Sequence, residues 1–138
     1  MKILVMGLSG SGKTTLADRL NKYLGYTRIN ADAVRTLCND WDFSNEGRIR
    51  QAKRLKELAE QQENSITDFI APTKEIRDIF DADIIIWMDT VSSSLYQDTD
   101  KVFEIPTTHD YRVTTKDVEK GSLLIGDRIN SGQHNEKH

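Results

Sequence analysis

Apolar runs of strand length alternate with segments of helical spacing along the first ninety residues. Residues 1–6 form the first apolar run, and Leu16, Leu20 and Leu24 then recur at every fourth position until Gly25 ends the predicted helix over 14–24. The other predicted strands cover residues 26–30, 66–70 and 83–88, and the other predicted helices cover a short segment through Leu37, residues 45–62 and residues 73–80. Because strands alternate with helices, the pattern predicts an α/β fold with right-handed crossovers. The apolar run 83–88 is typical of a parallel strand buried on both faces.

The last third of the chain carries a weaker pattern. Residues 90–112 are polar, with a short predicted helix at 92–97 and a short predicted strand at 102–105. Thr115 is a candidate N-cap for a final helix, in which residues 118, 122, 125 and 129 keep helical spacing. We therefore expect a single domain over residues 1–130, followed by a polar, disordered tail over 131–138.

Composition and charge exclude several classes of protein. The 138 residues carry a net charge of −3, which argues against a nucleic-acid partner. Cys38 is the only cysteine, which excludes an internal disulfide and suits a reducing compartment. No apolar run approaches the length of a membrane span, and the first one leads directly into a glycine-rich loop rather than a cleavage site. We expect a cytoplasmic protein without a membrane partner.

The segment between the first strand and the first helix matches G-x-x-x-x-G-K-[ST], the motif of a phosphate-binding loop. Its candidate phosphate-binding residues, with the threonine that follows, are Gly7, Leu8, Ser9, Gly10, Ser11, Gly12, Lys13, Thr14 and Thr15. Glycines permit the tight turn that points backbone N–H groups at one anion, and the helix N-terminus adds partial positive charge. In such loops the lysine reaches the β- and γ-phosphates and the hydroxyl ligates Mg²⁺. The motif therefore predicts a nucleoside triphosphate and Mg²⁺ as cofactors.

Two aspartates follow predicted strands. Asp32 lies at the strand edge where ligands bind in open α/β sheets, so it is a candidate for holding a magnesium-bound water or accepting a proton from a hydroxyl. An ordinary helix cap, provided by Asn30 or Asp32, is an equal alternative. Asp89 ends the most apolar strand, where a strand-end cap is favoured over a second magnesium carboxylate.

A cation and two aromatic residues stand out around the helix 45–62. Arg48 shares the apolar stripe of that helix, and a buried guanidinium is costly unless an anion meets it. We therefore interpret Arg48 as a ligand contact, whereas Arg50 and Lys56 are interpreted as a solvated face and Arg54 faces away from the stripe. Trp41 and Phe43 precede this helix; stacking on a base and packing in the core are equal alternatives.

Taken in order, these segments resemble the adenylylsulfate kinase family. Residues 7–17 match its G-L-S-G-S-G-K-[ST]-T-[IL]-A, and residues 29–35 resemble its L-D-G-D-N-V-R, with the second aspartate and the arginine kept. Residues 42–48 resemble G-F-S-x-E-D-R, residues 51–54 resemble N-I-R-R, and residues 69–78 resemble F-I-S-P-x-[RK]-x-x-R-D. The family phosphorylates the 3′-hydroxyl of adenosine 5′-phosphosulfate (APS) with ATP. The resemblance implies a three-layer P-loop kinase fold, with a mostly parallel sheet flanked by helices.

The resemblance also implies roles for single residues. Lys13 and Asp32 would be catalytic, with Asp32 as the base, and Thr14 and Asp32 would hold Mg²⁺. The acceptor would meet Asp32, Arg35, Phe43, Arg48, Gln51, Ile70, Ala71, Pro72 and Lys74. Among these, Phe43 would stack on the adenine and Lys74 would complete the pocket. Family enzymes are often dimers, so the resemblance also implies a homodimer.

The chain departs from the family pattern at several positions. Ala71 replaces the serine of F-I-S-P, and Gln51 replaces the asparagine of N-I-R-R. The family's lid segment R-D-P-K-G-L-Y is not recognisable after Asp89, so the lid is shortened and leaves Lys101 and Arg112 to stabilise the transferring phosphoryl group. Residues 110–115 resemble a family segment close to the ATP base. Two alternatives therefore stay open: a minimal kinase for another nucleotide, nucleoside or sugar, and a nucleotide-binding switch or inactive kinase relative.

Overall fold

A five-stranded parallel sheet organises the part of the chain that the computed structural model describes, residues 1–91 and 102–132. The strands are β1 (Lys2–Met6), β2 (Thr27–Asn30), β3 (Ser65–Asp68), β4 (Ile84–Met88) and β5 (Tyr111–Val113). The described helices are α1 (Lys13–Leu24), α2 (Ala31–Cys38), α3 (Asn45–Glu60), α4 (Lys74–Phe80) and α5 (Val118–Ser131). The sheet order is β2-β3-β1-β4-β5, and every pair of neighbouring strands is parallel. The predicted α/β fold is confirmed.

The central strand β1 has a core on each of its faces. Ile3 and Val5 join a cluster that contains buried residues of α1 and α5, whereas Leu4 and Met6 join a cluster that contains buried residues of α2, α3 and α4. Successive strand residues point to opposite faces, so an unbroken apolar run serves both clusters. The sheet is therefore the middle of three layers. No helix in the described ranges is both long enough and apolar enough to cross a membrane.

Side-chain caps set the start of three helices. Asn30 Oδ1 accepts the Ala33 N–H at 2.9 Å and begins α2, so Asn30 rather than Asp32 is the cap. Ser44 Oγ accepts the Gly47 N–H at 3.2 Å and begins α3, and Thr73 does the same for α4. Because Asn30 caps α2, the carboxylate of Asp32 in the first turn is not used as the helix cap.

The predicted strand at 102–105 is wrong. Residues 103–106 have no regular structure, and the fifth strand is Tyr111–Val113, which pairs with β4. The backbone at Glu104 instead donates to the Pro72 carbonyl at 2.6 Å, and Phe103 lies under the Arg77 guanidinium, 5.3 Å from it. These contacts occupy the segment that the apolar pattern assigned to the sheet.

The other differences concern the last helix and its flanks. Helix α5 begins at Val118, three residues after the predicted cap Thr115, and includes residues 130 and 131 before Gly132 ends it. The predicted helix at 92–97 and the rest of the predicted tail, 133–138, lie outside the described residues. The single-domain boundary at 130 stays a prediction.

Candidate functional site

A cavity of about 1170 Å³ opens at the carboxyl ends of β1, β2 and β3. One wall is the loop between β1 and α1, and the other walls come from α2, the segment 41–51 and the segment 68–76. Ligands of open α/β sheets bind at this edge, outside the carboxyl ends of the strands. The structure therefore brings most of the residues singled out in the sequence to a single cavity.

The glycine loop divides into residues that line the cavity and residues that shape the loop. Ser9, Gly10, Gly12, Lys13, Thr14 and Thr15 line the cavity, whereas Gly7, Leu8 and Ser11 are buried and are not among the lining residues. Gly12 has a φ of 96°, which side chains rarely tolerate. A Cβ on Gly7 would lie 2.6 Å from the Met88 carbonyl oxygen. Both glycines of the motif are thus required by the conformation of the loop.

The charge distribution at the start of α1 fits a bound phosphate chain. Its N-cap is Gly12, which has no side chain to cap the helix, and the first turn carries no acidic residue. Lys13 Nζ donates to the Leu8 carbonyl at 3.0 Å, and burial lowers the pKa of Lys13 against the opposing effects of Asp68 and then Asp32. Ser11 Oγ is buried without a hydrogen-bond partner among the described residues. An anion would complete this uncapped, positively charged helix end.

Thr14, the predicted magnesium ligand, contacts a carboxylate that the sequence analysis missed. Thr14 Oγ1 donates to Asp68 Oδ2 at 2.9 Å, and Asp68 ends β3 with its side chain 3% exposed. Hydroxyl and carboxylate oxygens suit Mg²⁺, which needs one or two protein groups where phosphates supply further ligands. The sequence does hold a signal for this residue, since Asp68 is the one charged residue of the predicted core strand 66–70. The sequence analysis gave that strand no functional role.

The two strand-end aspartates considered in the sequence have different surroundings. Asp32 lies in the first turn of α2 and lines the cavity. Asp89 accepts from Arg112 Nε at 3.0 Å and is not among the lining residues, while the Arg112 guanidinium lies 4.9 Å from the Trp87 ring centre. Neither Asp89 nor Arg112 is therefore placed to act at this cavity. Lys101 lies outside the described residues.

Arg35 and the two aromatic residues form the wall contributed by α2 and the loop 39–44. Arg35 Nη1 donates to the carbonyls of Asp40 at 2.9 Å and Asp42 at 3.3 Å, and its guanidinium lies 4.5 Å from the Phe43 ring centre. Trp41 and Phe43 are about half exposed, and both line the cavity. The core-packing alternative for the two aromatic rings is therefore wrong. Arg35 fixes the loop that presents them.

The helix α3 contributes Arg48 and Gln51 to the cavity. The Gln51 side chain is buried: Nε2 donates to the Ala31 carbonyl at 3.0 Å, and Oε1 accepts from Arg54 Nη1 at 2.7 Å. Its amide thus braces α2 against α3. Arg54 was expected to face away, but it also reaches Asp40 Oδ2 at 3.0 Å.

Arg50 is not a free solvated cation either. Its Nε donates to Asp40 Oδ2 at 2.8 Å, because the loop 39–44 folds back along α3. The bonds from Arg50 and then Arg54 hold the pKa of Asp40 far below its usual range. Arg50 and Arg54 of α3 therefore hold the loop that carries Trp41 and Phe43.

The segment 70–72 forms a further wall. Ile70, Ala71 and Pro72 line the cavity, and Ala71 has a left-handed φ of 48° that Arg77 supports by donating from Nε to the Ala71 carbonyl at 2.8 Å. The structure does not bring Lys74 to this cavity. Its Nζ lies 2.6 Å from Asp78 Oδ2, and its side chain is 74% exposed.

The fold and the site together define a kinase with a phosphate-binding loop. The three-layer architecture, the parallel sheet order and the glycine loop between β1 and α1 are those of a P-loop kinase. The family model described as adenylylsulphate kinase matches residues 1–110. The chain therefore belongs to the adenylylsulfate kinase family, and it is a phosphotransferase of the kinase type.

Solved structures show the same fold at low sequence identity. The APS kinase CysC of Mycobacterium tuberculosis, in complex with AMPPNP and APS, is 20% identical, with a TM-score of 0.76 over 94% of this chain and 96% of that one. A gluconokinase from Sinorhizobium meliloti 1021 is 16% identical, with a TM-score of 0.70 over 99% and 97%. A shikimate kinase from Acinetobacter baumannii is 17% identical, with a TM-score of 0.65 over 95% and 93%. No curated protein matches the chain by sequence.

Proposed function

We propose that the protein transfers the γ-phosphoryl group of ATP to the 3′-hydroxyl of APS, giving 3′-phosphoadenosine 5′-phosphosulfate. The observation that carries the proposal is the wall formed by Arg35, Phe43 and Arg48 in the same cavity as the phosphate loop. An aromatic face suits a nucleotide base, and guanidinium groups suit an anionic phosphosulfate. Family membership and the APS bound to the M. tuberculosis enzyme support the same acceptor.

The loop and α1 would hold the donor. Backbone N–H groups from residues 9–15 and the Lys13 ammonium would meet the β- and γ-phosphates, and the Thr14 hydroxyl would hold Mg²⁺. When bound, Mg²⁺ would neutralise negative charge on these phosphates. Asp32 is proposed to orient or deprotonate the acceptor hydroxyl for in-line attack, and the family resemblance also links it to Mg²⁺.

The acceptor would occupy the part of the cavity opposite the phosphate loop. Phe43 would stack on the adenine, with the Arg35 guanidinium already placed against the ring. Arg48 would meet the phosphosulfate, while Gln51 and the backbone of 70–72 shape the pocket. The homodimer and the cytoplasmic location expected from the sequence remain predictions.

A second candidate is a kinase for the hydroxyl group of another small acceptor. Ala71 has no hydroxyl to offer, and Lys13, Arg35 and Arg48 are the cations that line the cavity in the described ranges. The fold is also shared with kinases named for gluconate and shikimate. The phosphate loop thus agrees with the family pattern, whereas the groups that would select the acceptor differ from it.

Transfer of label from [γ-³²P]ATP to a panel of acceptors tests the proposal. APS is compared with AMP, which lacks the sulfate, and with gluconate and shikimate; APS is expected to be the preferred acceptor. Arg48→Met should raise the KM for APS, whereas Lys74→Met serves as a matched control because Lys74 pairs with Asp78. Transfer to another acceptor with none to APS would refute the assignment. Nucleotide binding without transfer to any acceptor would instead support a switch or an inactive relative.

A further inference from the structure

Ala71 has a backbone conformation that its sequence does not favour. Its φ of 48° lies in the left-handed region, and the next residue is Pro72, which pushes a preceding residue toward extended conformations. The other non-glycine residues with a left-handed φ in the described ranges, Asn39 and Asp81, each end a helix and carry a polar side chain. Ala71 has neither feature, and it lines the cavity. Backbone strain of this kind persists only where neighbouring groups fix it.

Arg77 supplies the groups that fix this conformation. Its Nε donates to the Ala71 carbonyl at 2.8 Å, and its Nη2 donates to the carbonyls of Pro72 at 3.2 Å and Glu104 at 2.5 Å. Arg77 is 7% exposed and is not among the residues that line the cavity. A guanidinium offers its N–H donors in one rigid plane, so the three carbonyls keep fixed positions relative to one another. Two carbonyls of the wall 70–72 therefore turn toward Arg77 rather than toward the cavity.

A distant part of the chain supports the same guanidinium. The Glu104 N–H donates to the Pro72 carbonyl at 2.6 Å, and Glu104 Oε2 accepts from the Lys74 N–H at 2.7 Å. The Phe103 ring centre lies 5.3 Å from the guanidinium carbon of Arg77. These contacts tie residues 103 and 104 to the wall and to the start of α4. The conformation at the wall is therefore set by contacts between segments about thirty residues apart in the chain.

The value of φ at Ala71 decides what this wall presents to the cavity. Rotation about that bond changes the orientation of the peptide between Ile70 and Ala71 relative to Pro72, and all three residues line the cavity. An extended conformation at Ala71 would therefore give the wall a different shape. Because a reacting group that is misplaced by about 1 Å can lose much of its rate, the wall needs a fixed conformation if it positions a substrate.

We propose that Arg77 is a positioning residue for the phosphoryl acceptor, which holds Ala71 in the left-handed conformation and thereby sets the shape of the wall 70–72. Glu104 supports this arrangement through its backbone contacts with Pro72 and Arg77. The inference rests on the proposed function in one respect, that this wall faces the acceptor. It does not depend on which acceptor the enzyme uses, and it gives Arg77 no part in binding ATP.

Nuclear magnetic resonance measures the conformation of Ala71 without nucleotide or acceptor. The one-bond coupling between Cα and Hα distinguishes left-handed from extended residues, and the spectrum of Ala71→Gly identifies the Ala71 signal. Arg77→Lys keeps the positive charge but loses the planar fork, so the Ala71 coupling should move to that of an extended residue. The Asp81 coupling should stay left-handed, because Asp81 ends α4. An unchanged coupling at Ala71 overturns the inference, and so does a change at both residues, since the effect would then belong to α4 as a whole.

Steady-state kinetics measure the consequence for the acceptor. With APS, or with whichever acceptor of the panel the wild-type enzyme phosphorylates, Arg77→Lys should raise the acceptor KM by about tenfold and leave the KM for ATP within about twofold. The double variant Ala71→Gly/Arg77→Lys should have a lower acceptor KM than Arg77→Lys alone, because glycine adopts a positive φ without support. A parallel rise in both KM values, or no rescue by glycine, overturns the inference.

A matched control and a second variant complete the test. Arg128→Lys makes the same exchange at an exposed position of α5 and should change neither the Ala71 coupling nor the two KM values. If Arg77→Lys does not fold, Arg77→Gln takes its place: its uncharged amide also lacks the donors for three carbonyls, so the same change at Ala71 is expected. Failure of transfer to APS alone affects only the proposed function, because the measurement at Ala71 uses no acceptor.

Discussion

The first turn of α3 offers a sharp test of how the acceptor wall is built. Gly47 lies where the loop 39–44 crosses the helix, and a Cβ there would come within 2.2 Å of the Asp42 carbonyl oxygen and 2.5 Å of its Cγ. The carbonyl would have to retreat by about 1 Å to restore an ordinary contact. Since the crowded atom belongs to the backbone, a change of rotamer cannot relieve the clash. Gly47→Ala should therefore displace the loop.

The expected effect on stability follows from two opposing contributions. Overpacking costs about 1–3 kcal/mol, and a clash with backbone belongs at the upper end, while alanine in a helix gains about 1 kcal/mol over glycine. We expect Gly47→Ala to lower the free energy of unfolding by about 2 kcal/mol. Gly121→Ala is the matched control, because it also lies in a helix and a Cβ there meets nothing within 4 Å. It should gain up to about 1 kcal/mol.

Urea unfolding and steady-state kinetics measure the two consequences of the substitution. The Asp42 carbonyl accepts from Arg35 at 3.3 Å, so a displaced loop should disturb Phe43 and raise the KM for APS. The KM for ATP should stay near the wild-type value, because the loop 39–44 does not contribute to the phosphate loop. Wild-type stability in Gly47→Ala would refute the packing argument. A parallel rise in both KM values would show that the two halves of the cavity are not independent.

Two further predictions concern the charged groups of the cavity. Burial lowers the pKa of Lys13, so the affinity for nucleotide should begin to fall with rising pH before the ordinary lysine pKa of 10.5 is reached. Calorimetric titration with a non-hydrolysable ATP analogue across alkaline pH checks this. Lys13→Arg stays protonated over that range, so it should abolish the decline. Asp32→Asn should lower kcat by about 100-fold or more, since it removes the candidate base. An unchanged kcat would exclude Asp32 as the base.

The parts of the site that were predictable from sequence are local in the chain. The phosphate loop is continuous in sequence with β1 and α1. Its motif and the apolar pattern on either side of it are therefore enough to predict the strand, the loop and the helix together. Arg48 was assigned inward because it shares a helical stripe with Ala52, Leu55 and Ala59, which are all buried. A period of 3.6 residues relates these positions without reference to any other part of the fold.

The parts that were missed depend on how distant segments meet. The contact between Asn30 and Asp68 spans 38 residues and exists only because β2 and β3 pair in one particular register. The ion pairs of Asp40 with Arg50 and Arg54 require the loop 39–44 to fold back on α3. Strand β5 has three residues, with Tyr111 as its single buried one, which is too short for an alternating pattern.

The distribution of cations explains how the two halves of the cavity differ. Arg77 is committed to the backbone of 71–72 and 104, and Arg112 is committed to Asp89 and Trp87, so neither replaces the arginine of the family lid. Arg35 uses Nη1 to hold the loop carbonyls, which makes its wall rigid before any acceptor binds. Within the described ranges, Lys13 and the Thr14–Asp68 pair lie at the phosphate loop, whereas Arg48 brings positive charge to the wall that carries Arg35 and Phe43. Because charges placed in advance lower the energy needed to reorganise around a reacting phosphoryl group, this arrangement would favour transfer within a cavity lined by the phosphate loop, α2 and the segments 41–51 and 68–76.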